Sequence, residues 1–426
     1  MSAATVFDST LYGNIFGTEE ALQAFSEKSY VANLIKAESA LAAAEEAEGV
    51  VPVGVAAALS EHCDSLPMGR TLMVKFEAGY IHWGATTQDI MDLASVLQMK
   101  TGLEIVERLL RKVTSTLEKK SAAYRDVPMA GRTHLQHALP ITFGYKCAVW
   151  LAGFRRHVKR LEMIKQSCLL VQFGGAAGTL ASLGSSDSGI RVRKRLATIL
   201  GLQDPVITWH VARDTVAEII NYLALLGGSL GKMALDVIIM SSSEFNEVAE
   251  PFVPHRGASS TMPQKRNPIS SEVILAQSKI LRAQAGLVLD SVVSDFERAS
   301  GPWHLEWAAI PTAFISIIGS LHQAEFALSG LQVNQDAMMA NLKSTKGLIV
   351  AEAVMMHLAK YIGRQEAHET VYKACIEAHE NKSSLQEALE KSSKVTAHLA
   401  SAELSMLCDP TNYLGCCQLM VDEMLG

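Results

Sequence analysis

Apolar residues repeat at helical spacing along most of this chain, and few stretches alternate with the two-residue period of a strand. A first long helix is predicted to begin after Thr18, which two glutamates follow, and to end at Gly49. From Asp89 onward, apolar positions again recur at helical spacing. They are Leu93, Leu97, Val106, Leu109, Leu110, Val113 and Leu117. This pattern predicts an all-α chain.

The middle of the chain predicts a bundle of long helices. Several segments are apolar on more than one face, so we expect them inside a bundle and not in an isolated surface layer. After the helix from Asp89, they run from about Pro140 to Leu170, Thr215 to Val248, Pro268 to Glu297 and His304 to Gly330. We therefore predict three helical domains, residues 1–88, 89–343 and 344–426, of which the second is a central long-helix bundle.

Composition indicates burial between subunits. Of 426 residues, 49% are hydrophobic and 19% are charged, which leaves little polar surface for a monomer, so we expect an oligomer. The formal net charge of −6 gives no basic footprint, and we predict neither a nucleic acid nor a membrane partner. The apolar stretch from Trp307 to Ala324 contains Pro311 and lies between Glu306 and Glu325, which favours a buried helix over a membrane span.

Neither a targeting signal nor a cofactor motif stands out. The N-terminus lacks the cationic and apolar regions of a secretory signal, so we expect a cytoplasmic location. Seven cysteines without a Cys-x-x-Cys pair argue against a disulfide framework and a structural zinc site. His134 and His137 lack acidic or cysteine partners in the sequence around them and are weak evidence for a metal. We predict no metal and no organic cofactor.

A polar loop between two apolar segments carries the strongest chemical signal. Arg256–Pro268 contains Gly257, prolines, small hydroxyl residues, and Lys265 and Asn267, which suit the holding of an anion. This run resembles the signature loop of the fumarase/aspartase superfamily, Gly-Ser-Ser-x-Met-Pro-x-Lys-x-Asn. We predict that residues 251–268 form a mobile catalytic loop, here called the signature loop. The resemblance also implies a tetrameric core, with active sites that combine segments of different subunits.

The same resemblance assigns roles within the signature loop. Aligned on Met262 and the proline after it, the catalytic base of the family corresponds to Ser259, with the adjacent Ser260 as its rival. Lys265 and other loop donors would favour ionisation of the serine in a closed site. Ala258 stands where the family usually has glycine, so the mobility of the loop is expected to differ.

Hydroxyl and amide side chains precede the helix predicted from Asp89. Thr86, Thr87 and Gln88, together with the first amides of that helix, suit a substrate carboxylate. His82 belongs to the same segment, which the superfamily shares in type. Taken alone, the pattern equally fits a helix cap in which Asp89 or a threonine satisfies backbone donors. Both interpretations can hold together.

A third segment contains the candidate acid. The superfamily Thr-His pattern falls on Thr133 and His134, so His134, and not His137, corresponds to the histidine used near the leaving group or a substrate carboxylate. Glu272 lies five residues after Asn267, where several superfamily lyases place the carboxylate paired with that histidine. Such a pair would orient the ring and leave it able to donate a proton.

The resemblance covers nearly the whole chain and is strongest to the 3-carboxy-cis,cis-muconate cycloisomerase branch. It includes the glycine run Gln172–Leu180, which lacks the ending of a nucleotide-binding loop and is predicted to pack closely beside the site. In this branch, Trp303 and His304 would line the substrate pocket. Adenylosuccinate lyase is the nearest competing identity, and it shares Arg213 in type, which we therefore include among the predicted substrate-binding residues.

These residues suit removal of a proton from the carbon next to a carboxylate, because fixed donors can hold the charge that develops. We predict an enzyme acting on an unsaturated polycarboxylate, with carboxymuconate cycloisomerisation as the leading reaction. A β-eliminating lyase that yields fumarate or a related acid is the alternative, since His134 and Glu272 are both present and bacterial cycloisomerases can lack this pair. A non-enzymatic scaffold is disfavoured, because the candidate catalytic residues are all retained.

Overall fold

The computed structural model describes residues 5–57, 79–253, 256–257, 261–262, 264–298 and 300–426. Helices dominate these residues, which confirms the predicted all-α class. The longer helices are Glu27–Ala47, Thr87–Ala123, Phe143–Ser167, Ser188–Leu200, Asp214–Met240, Ile269–Ser291, Pro302–Ser329, Ala351–Ile362 and Arg364–Glu380. The shorter helices are Gly13–Phe16, Glu19–Ala24, Gln335–Lys343, Leu385–Glu390, Ser393–Thr396, Ser401–Leu407 and Cys417–Leu425.

Several helix ends differ from the prediction. The single helix expected from Thr18 to Gly49 is wrong, because Ser26 interrupts it. The Ser26 side chain accepts a hydrogen bond from the backbone N–H three residues later and so caps a second helix. The helices expected from near Thr215 and Pro268 also end early, at Met240 and Ser291.

Two short antiparallel strand pairs accompany the helices. They are Pro128–Thr133 with Gln136–Thr142, here called the hairpin, and Val248–Ala249 with Gln332–Val333. The hairpin was not predicted, and the helix expected from Pro140 begins instead at Phe143. Pro140 lies opposite Ala130 in the hairpin. A proline is tolerated at a strand edge, where its missing N–H is not needed, so it did not mark the start of a helix here.

Two compact units divide the chain, and each draws on separate segments. The first unit contains Met1–Lys112, Phe154–Ala234 and Ser270–Glu325, and the second contains Val113–Gly153, Leu235–Ile269 and Phe326–Gly426. Internal compactness defines these units, whereas the three predicted domains follow one another along the chain. The three-domain division therefore stays a prediction.

Each unit buries apolar side chains of its own. In the first unit, the fully buried side chains include Leu41, Leu93, Phe154, Phe173 and Phe314. In the second unit, Ala130 of the hairpin belongs to a buried cluster with Leu342, Ile349, Val350 and Ala353. This cluster holds the base of the hairpin in the interior of its unit, so the exposed turn has a fixed support.

Two helices, Asp214–Met240 and Pro302–Ser329, are long and apolar enough to cross a membrane by length and composition alone. Within the protein, 50% and 61% of their most apolar windows are buried, respectively. That degree of burial is typical of core helices, which agrees with the buried helix predicted for residues 307–324.

Candidate active site

Asp89 joins the first predicted substrate segment to the glycine run. Its fully buried carboxylate accepts a hydrogen bond from the backbone N–H of Thr86 at 3.0 Å, and this bond caps the Thr87–Ala123 helix. The same carboxylate accepts hydrogen bonds from the backbone N–H groups of Gly174 at 3.0 Å and Gly175 at 2.9 Å. The helix cap considered from the sequence is therefore present.

His210 extends this cluster. Its Nε2 lies 2.6 Å from Asp89 Oδ1, and its Nδ1 lies 2.9 Å from the hydroxyl oxygen of Thr208. Gly175 adopts a left-handed backbone with φ +72°, and a Cβ there would lie 2.9 Å from the carbonyl oxygen of Gly84. The glycine run thus packs closely against the first predicted substrate segment.

Arg213 lies at the centre of a buried ion-pair network. Its guanidinium donates two hydrogen bonds to Asp92, at 2.9 and 3.0 Å, and two to Glu306, at 2.9 and 2.5 Å. The Trp303 indole N–H also donates to Asp92, at 3.0 Å. Burial raises the pKa of Glu306, and the hydrogen bond from Arg213 partly offsets this. Arg213 is 2% exposed, so its predicted contact with substrate would need these bonds to rearrange.

Gln88 also forms hydrogen bonds with other residues of the first unit. Its amide donates to the backbone carbonyl of His210 at 2.9 Å and accepts a hydrogen bond from Arg298 at 3.2 Å. Arg298 further donates to the carbonyl of Gly175 at 2.9 Å. Arg298 was not predicted from the sequence. It is a single arginine in a polar segment before Trp303, and such a residue has the same sequence pattern as an arginine on the solvated surface.

His82 is bound to the first long helix of its unit. Its Nδ1 lies 2.7 Å from a carboxylate oxygen of Glu38, and this hydrogen bond raises the pKa of His82. The neighbouring rings of Tyr80 and Trp83 are 5.8 Å apart and partly exposed. His82 is thus paired with Glu38, and the rings of Tyr80 and Trp83 lie in the same segment.

Trp303 and His304, which were predicted to line the pocket, form an aromatic cluster with Trp307. The ring centroids of Trp303 and His304 are 5.7 Å apart, and those of His304 and Trp307 are 4.4 Å apart. Trp303 is half-buried, whereas His304 and Trp307 are exposed. Glu272 is exposed in the first turn of the Ile269–Ser291 helix.

His134 lies at the exposed turn of the hairpin. Thr133 pairs with Gln136, so His134 and Leu135 form a two-residue turn, and their φ values of +52° and +61° are both left-handed. This conformation is unfavourable for residues other than glycine, asparagine and aspartate, and such strain is concentrated at functional sites. Burial lowers the pKa of the neighbouring His137, and the Arg132 charge adds to this effect.

The described residues of the signature loop are joined at its base. The backbone N–H and the side-chain amide of Asn267 both donate to the carbonyl of Gly257, each at 3.1 Å. Lys265 and Met262 are exposed. The predicted base Ser259 and its rival Ser260 lie outside the described residues.

The predicted site residues fall into two groups. The first unit contains His82, Thr86, Thr87, Gln88, Arg213, Glu272, Trp303 and His304. The second unit contains Thr133, His134, Met262, Lys265 and Asn267. Among the residues that the structure describes, no group of three or more His, Cys, Asp or Glu side chains could hold a metal ion. The site assignments stay predictions, now with defined surroundings.

Comparison with known families gives two matches along the chain. The lyase family model matches residues 54–280, and the model described as the adenylosuccinate lyase C-terminus matches residues 347–424. The first match includes the glycine run, the hairpin and the signature loop. The second covers the C-terminal helices.

Individual relatives match over almost the full length. Trans-aconitate decarboxylase 1 of Mycosarcoma maydis is 41% identical over 100% of this chain and 89% of its own. A 3-carboxy-cis,cis-muconate cycloisomerase of Pseudomonas aeruginosa is 37% identical over 94% of this chain and 93% of its own. The solved structure of a fumarate lyase from Mesorhizobium sp. BNC1 is 46% identical with a TM-score of 0.91, covering 98% of this chain and 99% of that one. This protein therefore belongs to the fumarase/aspartase superfamily and is an enzyme of its lyase and cycloisomerase class.

Proposed function

We propose that this enzyme converts an unsaturated tricarboxylate by transferring a proton at a carbon next to a carboxylate. The observation that carries this proposal is that two relatives at 41% and 37% identity are named for trans-aconitate and 3-carboxy-cis,cis-muconate. Both compounds have three carboxylates on a short carbon chain, and each has a carbon–carbon double bond conjugated to a carboxylate. The two reactions also pass through charge that is delocalised into a carboxylate, and fixed donors can stabilise that charge.

Cycloisomerisation of a 3-carboxymuconate-like substrate is the leading reaction. A carboxylate oxygen adds to one end of a double bond, and the carbon at the other end, next to a second carboxylate, takes up a proton. Ser259 would deliver this proton in the lactonising direction and remove it in the reverse direction. Thr86 and Thr87 at the capped helix N-terminus, with Lys265 and Asn267 of the signature loop, would hold the carboxylates.

Decarboxylation of trans-aconitate is the second candidate, and the 41% identity over the whole chain favours it. Loss of carbon dioxide from the CH2–COO⁻ arm leaves an electron pair that forms a new double bond. The electron pair of the original double bond moves onto the carbon next to another carboxylate, where it takes a proton. Decarboxylation therefore requires the same fixed hydrogen-bond donors as cycloisomerisation, and one proton donor.

A β-elimination that yields fumarate or a related acid is the third candidate. It is supported by the 46% identity to a fumarate lyase and by the presence of both His134 and Glu272. In this reaction, Ser259 would remove the proton, and His134, oriented by Glu272, would protonate the leaving group.

We further propose a cytoplasmic homotetramer. Large apolar side chains are exposed on long helices of the single subunit, among them Leu225 at 53%, Leu235 at 44% and Leu289 at 52%. Such surface favours burial between copies. The family resemblance implies an active site formed by segments of different subunits, and such a site would explain why the predicted site residues divide between two units of one chain.

One set of assays separates the three reactions. Purified protein is incubated in parallel with 3-carboxy-cis,cis-muconate, trans-aconitate, adenylosuccinate and argininosuccinate. Loss of diene absorbance with formation of a lactone identifies a cycloisomerase, carbon dioxide release identifies a decarboxylase, and fumarate release identifies an eliminating lyase. Turnover of adenylosuccinate or argininosuccinate, and of neither 3-carboxy-cis,cis-muconate nor trans-aconitate, would contradict the unsaturated-tricarboxylate proposal and favour the eliminating lyase.

The serine assignment has its own test. On the substrate that is turned over, Ser259→Ala is expected to lower kcat by about 100-fold or more, because the proton-transfer group is lost. Ser260→Ala is the matched control and should retain most activity. Size-exclusion chromatography must show the same assembly for both variants. The reverse order of effects would transfer the role to Ser260.

A further inference from the structure

A buried ion pair joins two of the predicted catalytic segments within the second unit. Arg132 of the hairpin donates to both carboxylate oxygens of Glu247, with distances of 2.7 and 2.9 Å. The Glu247 side chain is 0% exposed, and that of Arg132 is 12% exposed. The guanidinium also stands 4.5 Å above the ring of Phe245. A paired bidentate geometry of this kind fixes orientation as well as distance.

Glu247 makes several hydrogen bonds in addition to its ion pair with Arg132. The Asn341 amide donates to its carboxylate at 3.0 Å. Its backbone N–H donates to Met240 at 2.8 Å, and its carbonyl accepts from Asn334 at 2.9 Å. The strand Val248–Ala249 follows directly. Glu247 is therefore a rigid point to which the hairpin is attached.

The two ends of this ion pair are adjacent to catalytic candidates. Arg132 lies two residues before His134, the strained residue at the hairpin turn. Glu247 lies four residues before the signature loop, which begins at residue 251. The strand register shifts between Ala130 and Arg132, so regular pairing alone does not set the position of the turn. Arg132, two residues before His134, is therefore a point at which a further contact can fix the turn.

We propose that Arg132 and Glu247 form a positioning pair, which orients His134 and the start of the signature loop for proton transfer. This inference rests on the proposed function. A buried ion pair contributes little net stability compared with packed apolar residues. Stability therefore does not explain why this pair joins two predicted catalytic segments. Orienting those segments is a role that a buried ion pair can serve. A small displacement of a catalytic group is sufficient to slow a reaction strongly.

The test uses Glu247→Gln, which keeps the shape and removes the charge, and Arg132→Lys, which keeps the charge and removes the bidentate geometry. Both are expected to lower kcat roughly 10-fold to 100-fold, with a smaller change in KM. Amide hydrogen exchange at residues 133–136 should become faster in both variants. Arg125→Lys is the matched control, because Arg125 makes a bidentate pair with Asp422 in the same unit, with both distances 2.6 Å. It should change neither quantity.

A merely structural pair would lower the melting temperature and leave the kcat of the folded, assembled enzyme unchanged, which would overturn the proposal. A double-mutant cycle with His134→Ala adds a second criterion. If Glu247 acts through His134, the loss of kcat caused by Glu247→Gln should largely disappear in the His134→Ala background. Full additivity of the two losses would count against the proposal.

If the wild-type enzyme turns over none of the substrates, the proposed function fails. Faster exchange at the hairpin turn still supports the positioning pair in that case, and unchanged exchange contradicts it.

Discussion

At the residue scale, several polar groups near the predicted site already have partners within the protein. Arg213 holds two carboxylates, Gln88 accepts from Arg298, and Asp89 accepts from three backbone N–H groups. These side chains are engaged in contacts within the first unit. Thr86, Thr87 and His82 are partly exposed and are better placed to meet a ligand.

Arg213→Met is expected to lower the free energy of unfolding by about 3–5 kcal/mol, because Asp92 and Glu306 lose the cation that compensates their buried charges. Urea denaturation followed by circular dichroism measures this change. Arg125→Met is the control, since its pair with Asp422 is partly exposed and should contribute little to stability. An unchanged unfolding free energy with a large rise in KM would instead make Arg213 a direct substrate ligand.

Glu45 should make stability depend on pH. Both of its carboxylate oxygens are buried without a hydrogen-bond partner, and burial, with the nearby Glu38 charge, raises its pKa to about 8. Because the pKa is raised on folding, the folded protein favours the protonated form, and stability is lost as the pH rises through 8.

Glu45→Gln should therefore be increasingly more stable than the wild type between about pH 5 and pH 9, by up to a few kcal/mol. Urea unfolding at several pH values measures the difference. The exposed Glu104→Gln serves as the control. A difference that does not change with pH would contradict the prediction.

At the scale of elements, hydrogen bonds to the Asp89 carboxylate connect the start of the Thr87–Ala123 helix to the glycine run. Asp89 caps the helix and at the same time holds Gly174 and Gly175. The helix N-terminus and the glycine run should consequently move as one structure, and a change in one should be felt at the other.

Gly175→Ala tests this coupling. The added Cβ would lie 2.9 Å from the carbonyl oxygen of Gly84 at a left-handed φ of +72°, so the backbone must shift. We expect a loss of about 1–3 kcal/mol in unfolding free energy and at least a tenfold loss of kcat/KM. Gly286→Ala, where a Cβ would meet no atom of the described residues within 4 Å, is the control and should be neutral or stabilising. Full activity of Gly175→Ala would show that the glycine run does not support the site.

At the scale of the whole molecule, the apolar surface of the long helices leads to a prediction about assembly. Leu289→Glu places a charge on the Ile269–Ser291 helix at an exposed leucine. If this surface lies between subunits, the variant should dissociate and lose turnover together, because the proposed site draws on more than one subunit. Sedimentation velocity and activity measure the two effects. A fully active monomer would contradict both the tetramer and the shared site.

Much of the architecture could be predicted because helical periodicity is a local property. The five long helices predicted in the central region were found with errors confined to their ends, as at Met240 and Ser291, whereas the helix Ser188–Leu200 was not predicted. The hairpin was missed because its strands are short and lack a clear alternation of apolar and polar residues, and because Pro140 resembled a helix start. Ser26 divided the first helix by a capping bond that competes with helix continuation.

The candidate site shows the same distinction between local and distant causes. The motifs were sufficient to identify the superfamily and the residue types available for proton transfer, because a motif is a property of neighbouring positions. The folded structure was needed to show that Asp89 caps its helix and also holds the glycine run, that Arg213 is enclosed by Asp92 and Glu306, and that Arg132 pairs with Glu247. Burial and ion pairing join residues that are far apart in the chain, and those contacts exist only once the helices have packed.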